Sequence, residues 1–319
     1  MVKGMATVTA IAKKQKKNSE PDMSGIRDRS RGDITFQWII NIISIIIGIF
    51  TLYPLIYVLS ASLSQPVNIL KGNVWLWPVE PTLNAYKRVF SSENVLIGYR
   101  NTLFYAGVGT AINVILTIMC AYPLSRKDMQ GRNGLTFLIT FTMFFSGGMI
   151  PSYINIRNLG MLNTVWSVLL PGAINATNML ILRNYFINSV PNELSEAAEI
   201  DGCSPLRTMF SIILPLSRSI LMVIILYYLV GRWNTYFEPM LYLRNNQLWP
   251  LQVFLRQILL LSQMGDMAET MGVSDINTTQ IYAALKYAII VISSVPLLII
   301  YPFIQRFFQK GIMMGSVKG

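Results

Sequence analysis

The passage 191–215 is the one long polar stretch lying between two apolar runs late in the chain, and its residue types suit docking rather than bond-making. Ser189 is placed to cap a first helix whose opening turn carries Pro191 and Glu193, where a missing amide hydrogen costs nothing and an acid complements the dipole. Leu194, Ala197 and Ala198 fall on one face of that helix and Glu193, Glu196 and Glu199 on the others, so the small apolar face fits a shallow groove. Asp201 and Gly202 supply a left-handed reversal, after which Ser204 caps a second helix with Pro205 at its first position; Leu214 and Pro215 lie just ahead of the next apolar run. A second chemically equipped stretch is Gly231-Arg232-Trp233-Asn234-Thr235-Tyr236-Phe237. Trp233, Asn234 and Tyr236 offer aromatic faces and an amide to a hydroxyl-rich ligand, and Arg232 offers charge-assisted hydrogen bonds to a carboxylate.

Other chemistry has no residues to carry it. The chain contains no histidine, its two cysteines, Cys120 and Cys203, sit in an apolar run and a polar loop, and the phosphate-cradling pattern G-x-x-x-x-G-K-[ST] is missing. No catalytic residue, metal site, disulfide or bound cofactor is therefore expected on this chain, and ATP hydrolysis by that loop is excluded.

A membrane must position these stretches. The chain is 53% apolar and only 13% charged, where a water-soluble domain is about a quarter charged. Its net charge of +11 resides in the N-terminal tail and at the ends of apolar runs, not in one patch, which fits retention at a cytoplasmic face better than nucleic-acid binding. About 20 predominantly apolar residues cross a bilayer, and six runs qualify: 36–60, 102–124, 135–153, 163–182, 218–243 and 287–305. The expectation is an all-α membrane protein with six transmembrane helices and the polar helix pair between the fourth and fifth. A mobile cytoplasmic N-terminal tail (1–33) precedes the membrane domain (34–306), and a cytoplasmic C-terminal tail (307–319) follows it. The Lys and Arg distribution puts both termini and 191–215 in the cytoplasm, and the long loop 245–286 on the other side, where it is large enough to meet a soluble partner. The first four runs hold no Asp, Glu, Lys or Arg, which argues against proton coupling. Arg232 lies roughly 21 Å along a helix from Arg218, beyond mid-bilayer, so it either faces a wet cavity or snorkels to the outer interface.

Glu196-Ala197-Ala198, three residues, Gly202, nine residues, then Ile212, one residue, Leu214-Pro215 resembles the cytoplasmic loop of ABC importer membrane subunits. The resemblance extends over most of 36–319. It is nearest the carbohydrate branch, of the maltose-importer type, and nearer still to permeases for fragments of complex polysaccharides. Phe144 to Pro151, Leu170-Pro171-Gly172-Ala173, Arg183-Asn184-Tyr185-Phe186 and the closing run from Gln305 carry it. The resemblance implies a non-catalytic subunit of a prokaryotic plasma membrane that imports an oligosaccharide by alternating access. It works with a second, different permease, two ATP-binding subunits that hold the ATP and Mg, and an extracellular solute-binding protein. It implies that Leu194, Glu196, Ala197, Ala198, Asp201, Gly202, Leu214 and Pro215 couple to the ATP-binding subunit. By the same likeness Gly315, Ser316, Val317, Lys318 and Gly319 reach the ATP-binding pair, the alternative being a frayed end. Arg232, Trp233, Asn234 and Tyr236 would line the substrate cavity; the similar permeases read Gly-His-Trp-Asn here, so Arg232 is a departure that would favour acidic, uronate-containing sugars. A permease for another nutrient, or an ATP-independent channel or ion-coupled carrier with a merely structural helix pair, remains open.

Overall fold

The computed structural model describes residues 31–270 and 276–316. The expected N-terminal tail thus lies almost wholly outside the described residues. The chain divides into two compact units, the first ending at Ile56 and the second beginning at Tyr57. The described part of the first unit is most of one helix, α1 (Arg31–Ser62), whose apolar residues run round every side. With no lipid-side partner for a hydroxyl, Thr51 donates within the helix, to the carbonyls of Ile47 at 2.9 Å and Gly48 at 3.0 Å.

In the second unit the last turn of α1 is tied to the segment that follows it: Ser60 Oγ donates to the Leu76 carbonyl at 2.6 Å, and the Ser62 and Tyr86 hydroxyls bond at 2.7 Å. Two short helices, α2 (Pro66–Leu70) and α3 (Asn84–Ser91), occupy this segment. They lead into α4 (Glu93–Ser125), the central element, which packs on later helices along nearly its whole length. Gly98, Asn101, Tyr105, Gly109, Asn113, Thr117 and Ala121 recur every three or four residues on its buried face. Small and polar residues thus dominate the inward face while Leu103, Phe104 and Ile115 point out, the pattern expected where lipid is as apolar as any core.

Next come α5 (Arg132–Phe144) and α6 (Met149–Asn158), bent by 117° across a four-residue break; no side chain of α5 is buried. The short α7 (Trp166–Leu169) and the longer α8 (Ala176–Ser189) follow. The polar pair begins with α9 (Asn192–Ile200) and α10 (Pro205–Thr208). It continues through a π-helical turn, Met209–Ile213, into α11 (Leu214–Leu216). An 87° corner at Ser217 starts α12 (Arg218–Trp233). The chain closes with α13 (Phe237–Tyr242), a 3-10 turn at Asn246–Leu248, α14 (Leu251–Thr270) and the 41-residue α15 (Ile276–Ser316). Helix α4 packs against α12, α8 and α14, and α15 packs against α14 and α12. Where α4 crosses α14, a Cβ on Gly98 would lie 2.9 Å from Phe254 Cδ2 and 3.0 Å from Leu251 Cα, so only glycine lets the two backbones approach this closely.

Several expectations need correction. Among the described residues three helices are long and apolar enough to cross a bilayer, Ile34–Ser62, Glu93–Ser125 and Tyr282–Pro302; counting each bent pair as one brings the number to five. The expected fourth run, 163–182, is no single helix. Pro171 has no amide hydrogen and Gly172 adopts φ +63°, so the helix stops after Leu169 and restarts at Ala176. The expected fifth run, 218–243, ends at Trp233, and α13 follows after a gap. The expected loop 245–286 is mostly the helix α14 and the start of α15. The C-terminal tail is helical through Ser316; Val317, Lys318 and Gly319 lie outside the described residues.

Candidate functional site

The polar helix pair owes its shape to backbone bonds. Helix α9 closes with the Cys203 amide donating to the Ala198 carbonyl at 2.8 Å and the Gly202 amide to the Glu199 carbonyl at 3.0 Å. These are the two bonds of a Schellman turn, with Gly202 in its left-handed position at φ +74°. Ser204 Oγ then accepts from the Arg207 amide, as the sequence suggests for a cap, with Pro205 first in the helix. The other expected cap differs: Ser189 ends α8, and Pro191 precedes α9 without a side-chain cap bond. Pro215 has no amide hydrogen to continue the ladder, and the second helix is wound as a π turn over the residues just before it.

Within the pair, Ala198 is buried, while Leu194, Glu196, Ala197, Asp201, Gly202 and Pro215 are exposed and Leu214 is half-buried. The structure adds three residues that the periodicity of α9 alone does not flag: Ile200, Leu206 and Phe210 are 87%, 66% and 63% exposed, large apolar groups on an otherwise polar loop. Ile200 was legible as an apolar residue off the Ala198 face of its helix, and Leu206 and Phe210 as an i, i+4 apolar pair on the next. The pair rests against the end of α4. There Arg126 makes two 2.8 Å bonds to the Asp128 carboxylate and lies 3.7 Å from Glu199 of α9. The hydrogen bond from Arg126 holds the Asp128 carboxyl below its ordinary pKa. Arg132 and Arg183 donate to the carbonyls of Arg126 and Leu124, filling the last turn of α4 with positive charge where the helix dipole favours it. A half-open cavity of about 180 Å³, lined in part by Tyr122, Arg126, Pro191, Glu196 and Glu199, lies where α9 meets the end of α4.

The aromatic and amide stretch is split by packing. Arg232 is 7% exposed and Trp233 2% exposed. The guanidinium of Arg232 is held inside the chain, donating to the Val168 carbonyl at 2.6 Å, the Leu169 carbonyl at 3.0 Å and Asn113 Oδ1 at 3.0 Å. The two carbonyls are those that the break before Pro171 leaves without helical partners. Trp233 Nε1 donates to the Ser293 carbonyl at 3.0 Å, locking α12 to α15. Asn234 and Tyr236, by contrast, are exposed. Helix α14 adds two residues beside them: Gln252 reaches Asn234 at 3.5 Å, and the exposed Arg256 stands 5.8 Å from the Tyr236 ring centroid. Among the described residues no group of His, Cys, Asp and Glu could hold a metal ion, and both cysteines are free.

Among the described residues the chain is an all-helical bundle joined by small residues, with breaks inside its apolar helices and a polar helix pair on one connection, the architecture of a membrane-embedded component. The family model for the inner membrane component of binding-protein-dependent transport systems matches residues 23–314, and the chain belongs to that family. Among its relatives, the polygalacturonan/rhamnogalacturonan transport system permease protein YtcP of Bacillus subtilis (strain 168) is 41% identical over 286 residues, 89% of this chain and 98% of that protein. Protein LplC of the same organism is 40% identical over 273 residues, 86% of this chain and 91% of that protein. A chain in the crystal structure of a bacterial ABC transporter involved in the import of the acidic polysaccharide alginate is 34% identical, with a TM-score of 0.78, and the match covers 88% of this chain and 98% of that one. The carbohydrate-permease resemblance read from Glu196-Ala197-Ala198 and its flanking motifs is thereby confirmed.

Proposed function

We propose that this chain is one of two permeases in a prokaryotic ABC importer and that its cargo is an acidic oligosaccharide of the uronate-containing kind. The observation that carries the energy-coupling half is the Schellman-closed pair α9 and α10, which presents Leu194, Ile200, Leu206 and Phe210 outward beside Glu196 and Ala197. Such a rigid, partly apolar knob suits the cleft of an ATP-hydrolysing subunit, and catalysis and the ATP and Mg belong to that partner. Glu196 orients the docking helix, Ala197 permits close approach, and Gly202 with Asp201 sets the angle at which Leu214 and Pro215 lead back to the bundle. In this reading both termini are cytoplasmic, α5 with α6 forms one broken span, α7 with α8 another, and α12 completes six with α1, α4 and α15. Gly315 and Ser316, at the end of α15, extend toward the ATP-binding pair. An extracellular binding protein delivers the cargo.

The cargo half rests on relatives whose names specify polygalacturonan, rhamnogalacturonan and alginate. On this chain, the exposed Asn234, Tyr236 and Arg256 with the half-buried Gln252 form the set able to meet a sugar hydroxyl, a sugar face and a carboxylate. Arg256 takes the charge-selecting role that the sequence suggested for the now buried Arg232. The test is vanadate-sensitive uptake of oligogalacturonate by vesicles holding the chain with its second permease, ATPase subunits and binding protein. Leu206→Asp together with Phe210→Asp is expected to abolish co-purification of the ATPase subunits. Arg256→Gln is expected to slow oligogalacturonate about tenfold, the effect of one charge-assisted bond, and to spare its methyl-esterified, neutral form. Uptake that proceeds without ATP would identify a channel or ion-coupled carrier instead.

A further inference from the structure

Lipid offers no partner to a free amide or carbonyl, so non-helical backbone at membrane depth survives only where protein or water completes it. The break at 170–175 is such a backbone, and α12 places two interior polar side chains against it. Tyr228 and Arg232 are four residues apart and therefore share a face. Arg232 donates to the carbonyls of Val168 and Leu169, just before the break. The Tyr228 hydroxyl accepts from the Asn175 amide at 3.0 Å, just after it. Their partners on α4, Asn113 and Thr117, are also four residues apart: Asn113 Oδ1 takes the Arg232 guanidinium, and the Thr117 and Tyr228 hydroxyls bond at 2.6 Å. The result is a ladder of two rungs across α4 and α12, one gripping each lip of the break. Room for the upper rung comes from Gly109, where a Cβ would lie 3.2 Å from Arg232 Cδ and Nε.

Between the rungs, Ala173 is buried while Leu170, Gly172, Ile174 and Asn175 are exposed. Counted from the ends nearest the polar pair at about 1.5 Å per residue, Asn113, Arg232 and the start of α8 all lie roughly 18–21 Å deep, past the middle of a core about 30 Å thick. An open backbone at that level needs water or a partner subunit on its free side.

We propose that Arg232 and Tyr228 are positioning residues that hold 170–175 as a fixed, water-facing stretch of the translocation wall. Arg232 thus serves transport through this backbone and not through the charge of the cargo. The wall assignment rests on the importer reading, whereas the water-facing break is testable without transport. In the assembled importer carrying Cys120→Ser and Cys203→Ser, Ile174→Cys is expected to react with a small membrane-impermeant maleimide. Adding Arg232→Gln or the milder Tyr228→Phe is expected to change that rate about tenfold, the scale of one lost buried bond.

Uptake gives the second readout. Arg232→Gln is expected to lower the turnover of oligogalacturonate and of its methyl-esterified form by the same factor, with half-saturation little changed. Arg232→Lys, lacking the planar fork, is expected to restore less than half of the turnover. Loss confined to the acidic cargo, with labelling at Ile174→Cys unaltered, would overturn the positioning role. An unreactive Ile174→Cys in every background would overturn the water-facing wall. Labelling as expected in vesicles that show no ATP-driven uptake would leave the break intact and reject only the importer reading.

Discussion

Gly109 governs where Arg232 can lie. A methyl there would press on Cδ and Nε at 3.2 Å, and the guanidinium, fixed by three acceptors, has little freedom to yield. Gly109→Ala is expected to cost about 1–3 kcal/mol, the range for overpacking a filled interior, read as a lower unfolding temperature in detergent. An unchanged midpoint would mean that Arg232 shifts freely. Gly202 is the counterpart on the polar pair. Its φ of +74° sets a penalty of roughly 1–2 kcal/mol on alanine. Proline is worse, because it cannot reach that φ and it removes the amide bonded to Glu199. Gly202→Pro is expected to leave the protein in the membrane yet stop ATP-driven uptake; normal uptake by a well-expressed variant would refute the lever. Both the Gly202 turn and the Ser204 cap were legible in the sequence, since each is local chemistry. The fate of Arg232 was not, because its partners are Asn113, Val168 and Leu169, more than sixty residues away. Polar residues at i and i+4 in two apolar runs, Asn113 with Thr117 and Tyr228 with Arg232, were the available sign.

At the scale of elements, α1, α4 and the middle of α15 could be read from length and apolarity alone. The fourth and fifth runs could not. A hydropathy count registers Leu170 and Ile174 as apolar but is blind to Pro171 and Gly172 ending one helix and starting the next. Loop 245–286 was misjudged for the opposite reason: the polar stretch from Ser262 masks the helix α14, which is held by packing on α15 and α4. The crossing of α4 and α14 tests that packing. Gly98→Val forces a branched side chain into Phe254 and the Leu251 backbone, and is expected to destabilise by about 1–3 kcal/mol in detergent. Absence of any effect would show that the two helices do not meet as described.

At the scale of the molecule, three helices break after similar lengths. Helix α5 stops after 13 residues, α8 begins 14 residues from its other end, and α12 stops after 16. At about 1.5 Å per residue each runs roughly 20–24 Å from the polar pair's side before breaking. The chain also keeps broad apolar surfaces, including the exposed Phe137 and Phe141 of α5 and Phe145 just after it, with Phe141 and Phe145 stacked at 5.4 Å. The isolated chain is therefore expected to self-associate in mild detergent, and co-expression with a second permease to yield a single discrete species by size-exclusion chromatography.

The last helix sets a different constraint. At about 1.5 Å per residue, the 41 residues of α15 measure roughly 60 Å, twice the thickness of a hydrocarbon core. Even a 40° tilt leaves a long spar standing clear of the lipid. A spar has phase as well as length: one residue inserted near Arg306 would swing Gly315 and Ser316 through about 100°, whereas seven would restore their bearing and only lengthen the reach by about 10 Å. Insertions here should therefore be tolerated periodically and not in proportion to their size, as they would be in a floppy tether.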